Sequence, residues 1–336
     1  VSAPAQTAHA AALTREEVLA LVAQDLARVE KAIELETVCS VEAVTAISHH
    51  LQGSGGKRLR PMLLMLAARA AGHQGEGAVR MGAVVEIVHT ATLVHDDVID
   101  EAEVRRGRAS TNQEWGNPVS VLAGDWLYMQ AFNLTLRERN FAMLDRLIEL
   151  TQTMVEGELI QHDLVGRVDL GEQEYLDLVH RKTAVLFSVC CRYGAMLAES
   201  DAEEEQRLAD YGWNLGMAFQ LVDDVLDFAA TEEALGKPVG NDLREGKVTL
   251  PLILALRTAS AEERALVEQV VRDESYENVS AARIQAILAR HDSIAAVRRQ
   301  ALDYTEKALE CLAGLPTTPY RRALESVVSW IVDRQS

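Results

Sequence analysis

The chain has 336 residues, of which 48% are hydrophobic but only 5% aromatic, and its formal net charge is −18. That length leaves both one large domain and two open, while the acidity argues against nucleic acid and anionic membrane surfaces as general partners. Basic clusters at 57–60 and 105–108 stand out against this background and point to a specific anionic ligand.

Nearly every segment carries the helical period, and alternating strands are absent. Residues 1–13 read as a loose arm. The first helix then opens at TREE (14–17), where Thr14 and Glu17 form a capping box ahead of Val18, Leu21, Val22 and Leu26. Further helices are predicted over 38–51, 60–71, 77–101, 118–138, 140–164, 172–198, 202–229, 248–257, 261–272, 279–290, 293–312 and 319–333. With no Pro/Ser-rich linker between them, residues 14–336 are expected to form a single all-α domain. The four cysteines (Cys39, Cys190, Cys191, Cys311) lack metal-ligand spacing, and the N-terminus lacks the basic and apolar regions of a signal peptide. Reduced thiols in a cytoplasmic protein are therefore expected. No apolar run reads as long enough to span a bilayer, so no membrane insertion is expected.

Two acidic motifs break the apolar pattern. LVHDDVID (93–100) places Asp96, Asp97 and Asp100 at the end of a helix apolar almost all round, and FQLVDDVLD (219–227) repeats the spacing with Asp223, Asp224 and Asp227. Residues i and i+4 share a helix face, so each motif gathers carboxylates whose mutual repulsion needs a positive partner. Hard oxygen donors of this kind suit Mg²⁺, which completes its octahedron with water and phosphate oxygens. Zinc is not favoured, because no His/Cys pattern accompanies the aspartates. A solvated acidic helix end would explain one such motif, but two copies with apolar flanks favour metal.

Basic residues lie before, between and after the motifs. GSGGKRLRP (53–61) sets glycines before Lys57, Arg58 and Arg60 at a helix start, a place that favours anions. EAEVRRGRAS (101–110) supplies Arg105 and Arg106, HRKTA (180–184) supplies Lys182 and Thr183, and GKPVGNDLREGK (236–247) supplies Lys237 and Lys247. Together they suggest a metal-dependent and a metal-free anion receptor at one cavity.

GGKRLRP, HTATLVHDDVID with RRG after it, RKT, FQLVDDVLD and GKPVGND occur in one order and spacing, and by them the chain resembles the trans-isoprenyl diphosphate synthases, most closely the octaprenyl-like, long-chain polyprenyl diphosphate synthases that make quinone side chains. The resemblance covers roughly residues 50–255. It implies a single-domain antiparallel helical bundle around a deep central cavity, the isoprenoid synthase fold, as a homodimer. It also implies an allylic diphosphate held through three Mg²⁺ by Asp96, Asp100 and Asp223. Asp97, Asp224 and Asp227 would support that cluster directly or through water, and Arg105, Lys182, Thr183, Gln220, Lys237 and Lys247 would contact the diphosphate. Isopentenyl diphosphate would sit without metal on Lys57, Arg60, His89 and Arg106. His89, two turns before Asp96, faces the same cavity. Phe219 could turn its ring toward a cationic intermediate, with core packing the alternative.

Product length is read from the helix before Asp96. Thr92 and Ala91, then Val88, then Val84, Val85 and Met81 form the expected shaft, about 22 Å long at a rise of about 1.5 Å per residue. Small Ala91 and Thr92 leave it open, predicting a product of 30 to 50 carbons as the resemblance implies. Met129 and Phe132 are the candidate floor. A short- or medium-chain (farnesyl or geranylgeranyl) diphosphate synthase is the nearest alternative. A class I terpene cyclase fits less well, since Glu245 stands where its second metal motif needs Ser or Thr. A regulatory subunit should have degraded acidic motifs, and all six aspartates are present.

Overall fold

A computed structural model describes residues 12–53, 58–105, 107–229 and 239–332. Lys57, Arg106 and Lys237 lie outside the described residues, as does most of the expected arm. The expected helix start is present: the Thr14 hydroxyl accepts from the Glu17 amide at 3.2 Å and the Glu17 carboxylate accepts from the Thr14 amide at 2.8 Å. Leu13, the last residue of the expected arm, is docked, its amide donating to Ser326 Oγ at 2.9 Å.

In chain order the helices are α1 (Arg15–Glu36), α2 (Glu42–Gly53), α3 (Leu59–Ala70), α4 (Gly77–Ile99), α5 (Thr111–Trp115), α6 (Asn117–Arg137), α7 (Phe141–Leu164), α8 (Glu172–Val179), α9 (Val185–Leu197), α10 (Ala202–Ala229), α11 (Asn241–Arg244), α12 (Leu250–Leu256), α13 (Ala261–Asp273), α14 (Ala281–Arg290), α15 (Ser293–Cys311) and α16 (Pro319–Val332). They pack on one hydrophobic core. Among the described residues the fold is all-α apart from one small hairpin, β1 (Val104–Arg105) and β2 (Arg108–Ala109), paired antiparallel where the sequence suggested only a break.

The apolar sequence of α4 is explained by its place. It lies against α1, α3, α6 and α9, burying residues on every side from Ala78 to Val94. Contrary to expectation, α4 is long and apolar enough to cross a membrane, but 67% of the qualifying window is buried inside the protein. Its apolar surface belongs to the core.

The predicted single helix over 172–198 is interrupted. Residues His180–Ala184 form a π-turn between α8 and α9, closed by the Val185 amide on the His180 carbonyl. Two glycines hold it from opposite sides. A Cβ on Gly157 of α7 would stand 2.8 Å from Arg181 Cβ, and one on Gly216 of α10 would stand 2.7 Å from Ala184 Cα. Only glycine lets both helices approach this closely. π-Turns concentrate at functional sites, and this one carries Lys182 and Thr183.

Candidate active site

Two cavities share a wall. The larger, of about 590 Å³, is lined by Arg60, His89, Thr92, Asp96, Tyr128, Glu158 and apolar residues of α4, α7 and α9. The smaller, of about 190 Å³, is lined by Tyr175, Gln220, Asp242, Lys247 and Thr249 among others. Lys182 and Thr183 line both. The π-turn thus stands between the first acidic motif and the helix that carries the second.

The aspartates divide by what they touch. Asp96 lines the larger cavity, and its pKa is pushed up to about 6 by burial; Lys182 and Arg105 act against the rise, while Glu158 and Asp100 add to it. Asp100, at the end of α4, accepts from Lys247 Nζ at 3.1 Å. This pair ties the first motif to the segment following the second. Burial works against the charge on Lys247, but Asp100 and Glu245 outweigh it and raise its pKa above the ordinary lysine value. Asp223 is half-buried on α10.

Three aspartates expected to support the metal cluster, directly or through water, are engaged by the protein. Asp97 is fully buried; it pairs with Arg105 Nε and accepts from the amide and hydroxyl of Thr111 at 3.0 and 3.1 Å. It anchors the hairpin, and Arg105, expected on the diphosphate, is the other half of that anchor. Asp224 is fully buried, accepting from the Tyr175 hydroxyl at 2.5 Å and from Gln220 Nε2 at 3.0 Å. Burial lifts its pKa to about 8 against the two hydrogen bonds that lower it. Asp227 is buried; its carboxylate accepts from the Asp242 amide at 3.3 Å and its carbonyl from the Gly240 amide at 2.8 Å, fixing the turn into α11. A carboxylate whose oxygens are taken by fixed protein donors shapes a site without needing to bind metal itself.

The cationic residues show the same division. Lys182 Nζ lies 2.8 Å from Glu158 and donates to Gln161 at 2.9 Å, while Thr183 Oγ1 donates to Gln220 at 2.9 Å. Arg60 reaches the cavity wall with its guanidinium 5.3 Å from the centre of the Phe187 ring, and Phe187 packs on Phe219 at 5.3 Å. Phe219 is thus part of an aromatic pair beneath Arg60. Arg58, next to Lys57 in sequence, pairs with Glu30 and Glu86 and serves the fold.

The product shaft needs correction. Of the expected lining on α4, Thr92 and His89 face the larger cavity. Ala91, Val88, Val84, Val85 and Met81 are fully buried and do not line it. Because α4 is enclosed all round, helical spacing from Asp96 could not distinguish the cavity face from the core face. The expected floor also moves. Met129 is 61% exposed on the outside of α6, and Phe132 is partly buried against the core. Tyr128 is the α6 residue on the cavity wall, with Ile99, Met154, Val155 and Leu159.

The donor set fits Mg²⁺. Asp96 and Asp100 at the end of α4 and Asp223 on α10 offer hard oxygens, and burial raises the pKa of Asp96, so a divalent ion beside it would offset the cost of its charge. Mg²⁺ takes one or two carboxylates and completes its shell with phosphate and water.

Sequence reasoning missed Tyr175, Glu158, Gln161, His162, Tyr128 and Asp242. Helical spacing on α7 (Val155, Glu158, Leu159, His162) held a usable signal, since these share one face. Nothing local marks Tyr175 or Asp242; their roles come from packing across the chain.

A profile of the family described as Polyprenyl synthetase matches residues 41–288. The chain is 38% identical to the octaprenyl diphosphate synthase of Escherichia coli (strain K12), across 95% of this chain and 98% of that protein. Among solved structures it is similar to a decaprenyl diphosphate synthase from Rhodobacter capsulatus, with a TM-score of 0.91 and 35% identity over 96% of this chain and 100% of that one. It is equally similar to a polyprenyl synthase from Caulobacter crescentus CB15 complexed with calcium and isoprenyl diphosphate, with a TM-score of 0.91 and 35% identity over 97% of this chain and 100% of that one.

Proposed function

This chain belongs to the polyprenyl synthetase family, and from that premise we propose that it is a long-chain trans-polyprenyl diphosphate synthase, joining isopentenyl diphosphate head-to-tail onto a farnesyl- or geranyl-type allylic diphosphate. The observation that supports it most is the shared wall: Lys182 and Thr183 line the cavity that holds Asp96 and also the smaller one, and Thr183 bonds to Gln220, which bonds to Asp224.

Three Mg²⁺ held by Asp96, Asp100 and Asp223, when bound, supply charge stabilisation to the departing diphosphate. The chain's own residues do the rest. Lys182, Thr183 and Gln220 orient the allylic diphosphate, and Lys182 adds positive charge where the leaving group develops its own. Lys247 exchanges its contact with Asp100 for one with the diphosphate. Arg60 and His89 hold isopentenyl diphosphate so that its double bond meets the allylic carbon. The departing diphosphate takes the proton released on forming the new double bond, so no protein base is needed. The apolar wall of Leu93, Met154 and Leu186 keeps water from the allylic cation.

The protein acts as a homodimer in this reading. Leu122, Met129 and Leu136 on α6 recur every seven residues, as do Phe141, Ile148 and Val155 on α7, and all are exposed. Adjacent helices with heptad-spaced apolar stripes suit pairing with a second copy. The octaprenyl and decaprenyl synthases among its relatives support a product of 30 to 50 carbons.

Incubation of the purified chain with Mg²⁺ and farnesyl diphosphate, with and without isopentenyl diphosphate, tests the reaction class. Elongated product only when both are present is expected. A hydrocarbon formed from farnesyl diphosphate alone would make the protein a cyclase.

A further inference from the structure

We infer that Tyr175, a residue no motif contains, is a positioning residue for the allylic diphosphate, acting through a relay of three side chains. The inference rests on the reading above, in which Gln220 and Thr183 stand at that diphosphate. The Tyr175 hydroxyl donates to Asp224 Oδ2 at 2.5 Å, Gln220 Nε2 donates to Asp224 Oδ1 at 3.0 Å, and Thr183 Oγ1 donates to Gln220 Oε1 at 2.9 Å. The chain of bonds runs from α8 through α10 to the π-turn, and it ends at a side chain that lines both cavities.

Each bond removes a rotational freedom that the next depends on. Asp224 is fully enclosed, so its carboxyl has no water to turn toward, and the Tyr175 hydroxyl and the Gln220 amide fix its plane. With its N–H₂ on Asp224, Gln220 must present its carbonyl to Thr183. From a π-turn that α7 and α10 already clamp, the Thr183 hydroxyl spends its one proton on that carbonyl, so the Gln220 amide is held at both ends and its second N–H is the donor offered to the diphosphate. Tyr175 is itself 5% exposed and held by α8, which gives the relay a rigid origin. Losing the tyrosine oxygen leaves Asp224 Oδ2 without this donor and lets both Asp224 and Gln220 turn. The effect emerges at the second N–H of Gln220, on one substrate.

The test is a double-mutant cycle on the Mg²⁺-loaded enzyme, with KM measured separately for each substrate. Tyr175→Phe is expected to raise KM for the allylic diphosphate about tenfold, the scale of one hydrogen bond to a charged group, and to leave KM for isopentenyl diphosphate unchanged. In a Thr183→Val background Tyr175→Phe should add nothing, while in Thr183→Ser, which keeps the hydroxyl, the tenfold effect should return. A parallel calorimetric titration with an unreactive allylic diphosphate analogue reads the same coupling without turnover, so absence of condensation would sink the proposed reaction and not the relay. Additive effects of Tyr175→Phe and Thr183→Val, an equal rise in KM for both substrates, or an effect of Tyr175→Phe where Thr183→Val has none would overturn the relay.

Discussion

Asp96 is a carboxylate in a place that disfavours its charge. Burial pushes its pKa up to about 6, and Lys182, which could offset this, is shared with Glu158. Between pH 4 and 6 the folded protein therefore keeps a proton that the unfolded chain has released, and stability falls as pH rises through this window. Asp224, with a pKa of about 8, extends the decline upward. In the chelator-treated enzyme Asp96 contributes about 2 kcal/mol to the fall from pH 4 to 6, and the thermal midpoint of Asp96→Asn should lack that part of the wild-type slope. Mg²⁺ with inorganic diphosphate should flatten it in the wild type. An identical slope in Asp96→Asn would show that Asp96 is not the group responsible. The contrast with its neighbour is instructive: Asp97 looks equivalent in sequence, yet Arg105 and Thr111 make it a strut for the hairpin. The DD pair stood out in the sequence as a candidate site, but the different surroundings of its two members did not, because they depend on which way α4 is rotated in the core.

At the scale of elements, helix boundaries were readable because capping and periodicity are local. The Thr14–Glu17 box and the 202–229 helix are found where the residues placed them. The π-turn was not readable, since HRKTA continues a helical period and its distortion arises with two glycines on distant helices. The short hairpin was missed for the related reason that Asp97 organises it from outside. Rotation of α4 also decides which residue controls product length. Thr92 lines the larger cavity, while Ala91 is fully enclosed. Thr92→Phe should shorten the products seen by chromatography with little loss of stability. Ala91→Phe should overpack the core and lower stability by about 1–3 kcal/mol. Shortened products from a fully stable Ala91→Phe, with unchanged products from Thr92→Phe, would reverse the assignment of the faces.

Across the whole molecule, an acidic chain builds one polar centre inside an apolar bundle. The net charge of −18 is no obstacle to binding two diphosphates, because the cations are concentrated locally at Arg60, Lys182 and Lys247. Val155 and Leu159 belong both to the cavity wall and to the exposed face of α7, so the shaft and the proposed dimer surface adjoin. The most direct test of the account is condensation itself: the purified chain with isopentenyl and farnesyl diphosphates, products separated by length, before and after removal of divalent ions. Products of 30 to 50 carbons that disappear on chelation and return with added Mg²⁺ are predicted. Undiminished condensation in the stripped enzyme would contradict the claim that the two acidic motifs act by sharing metal with a diphosphate.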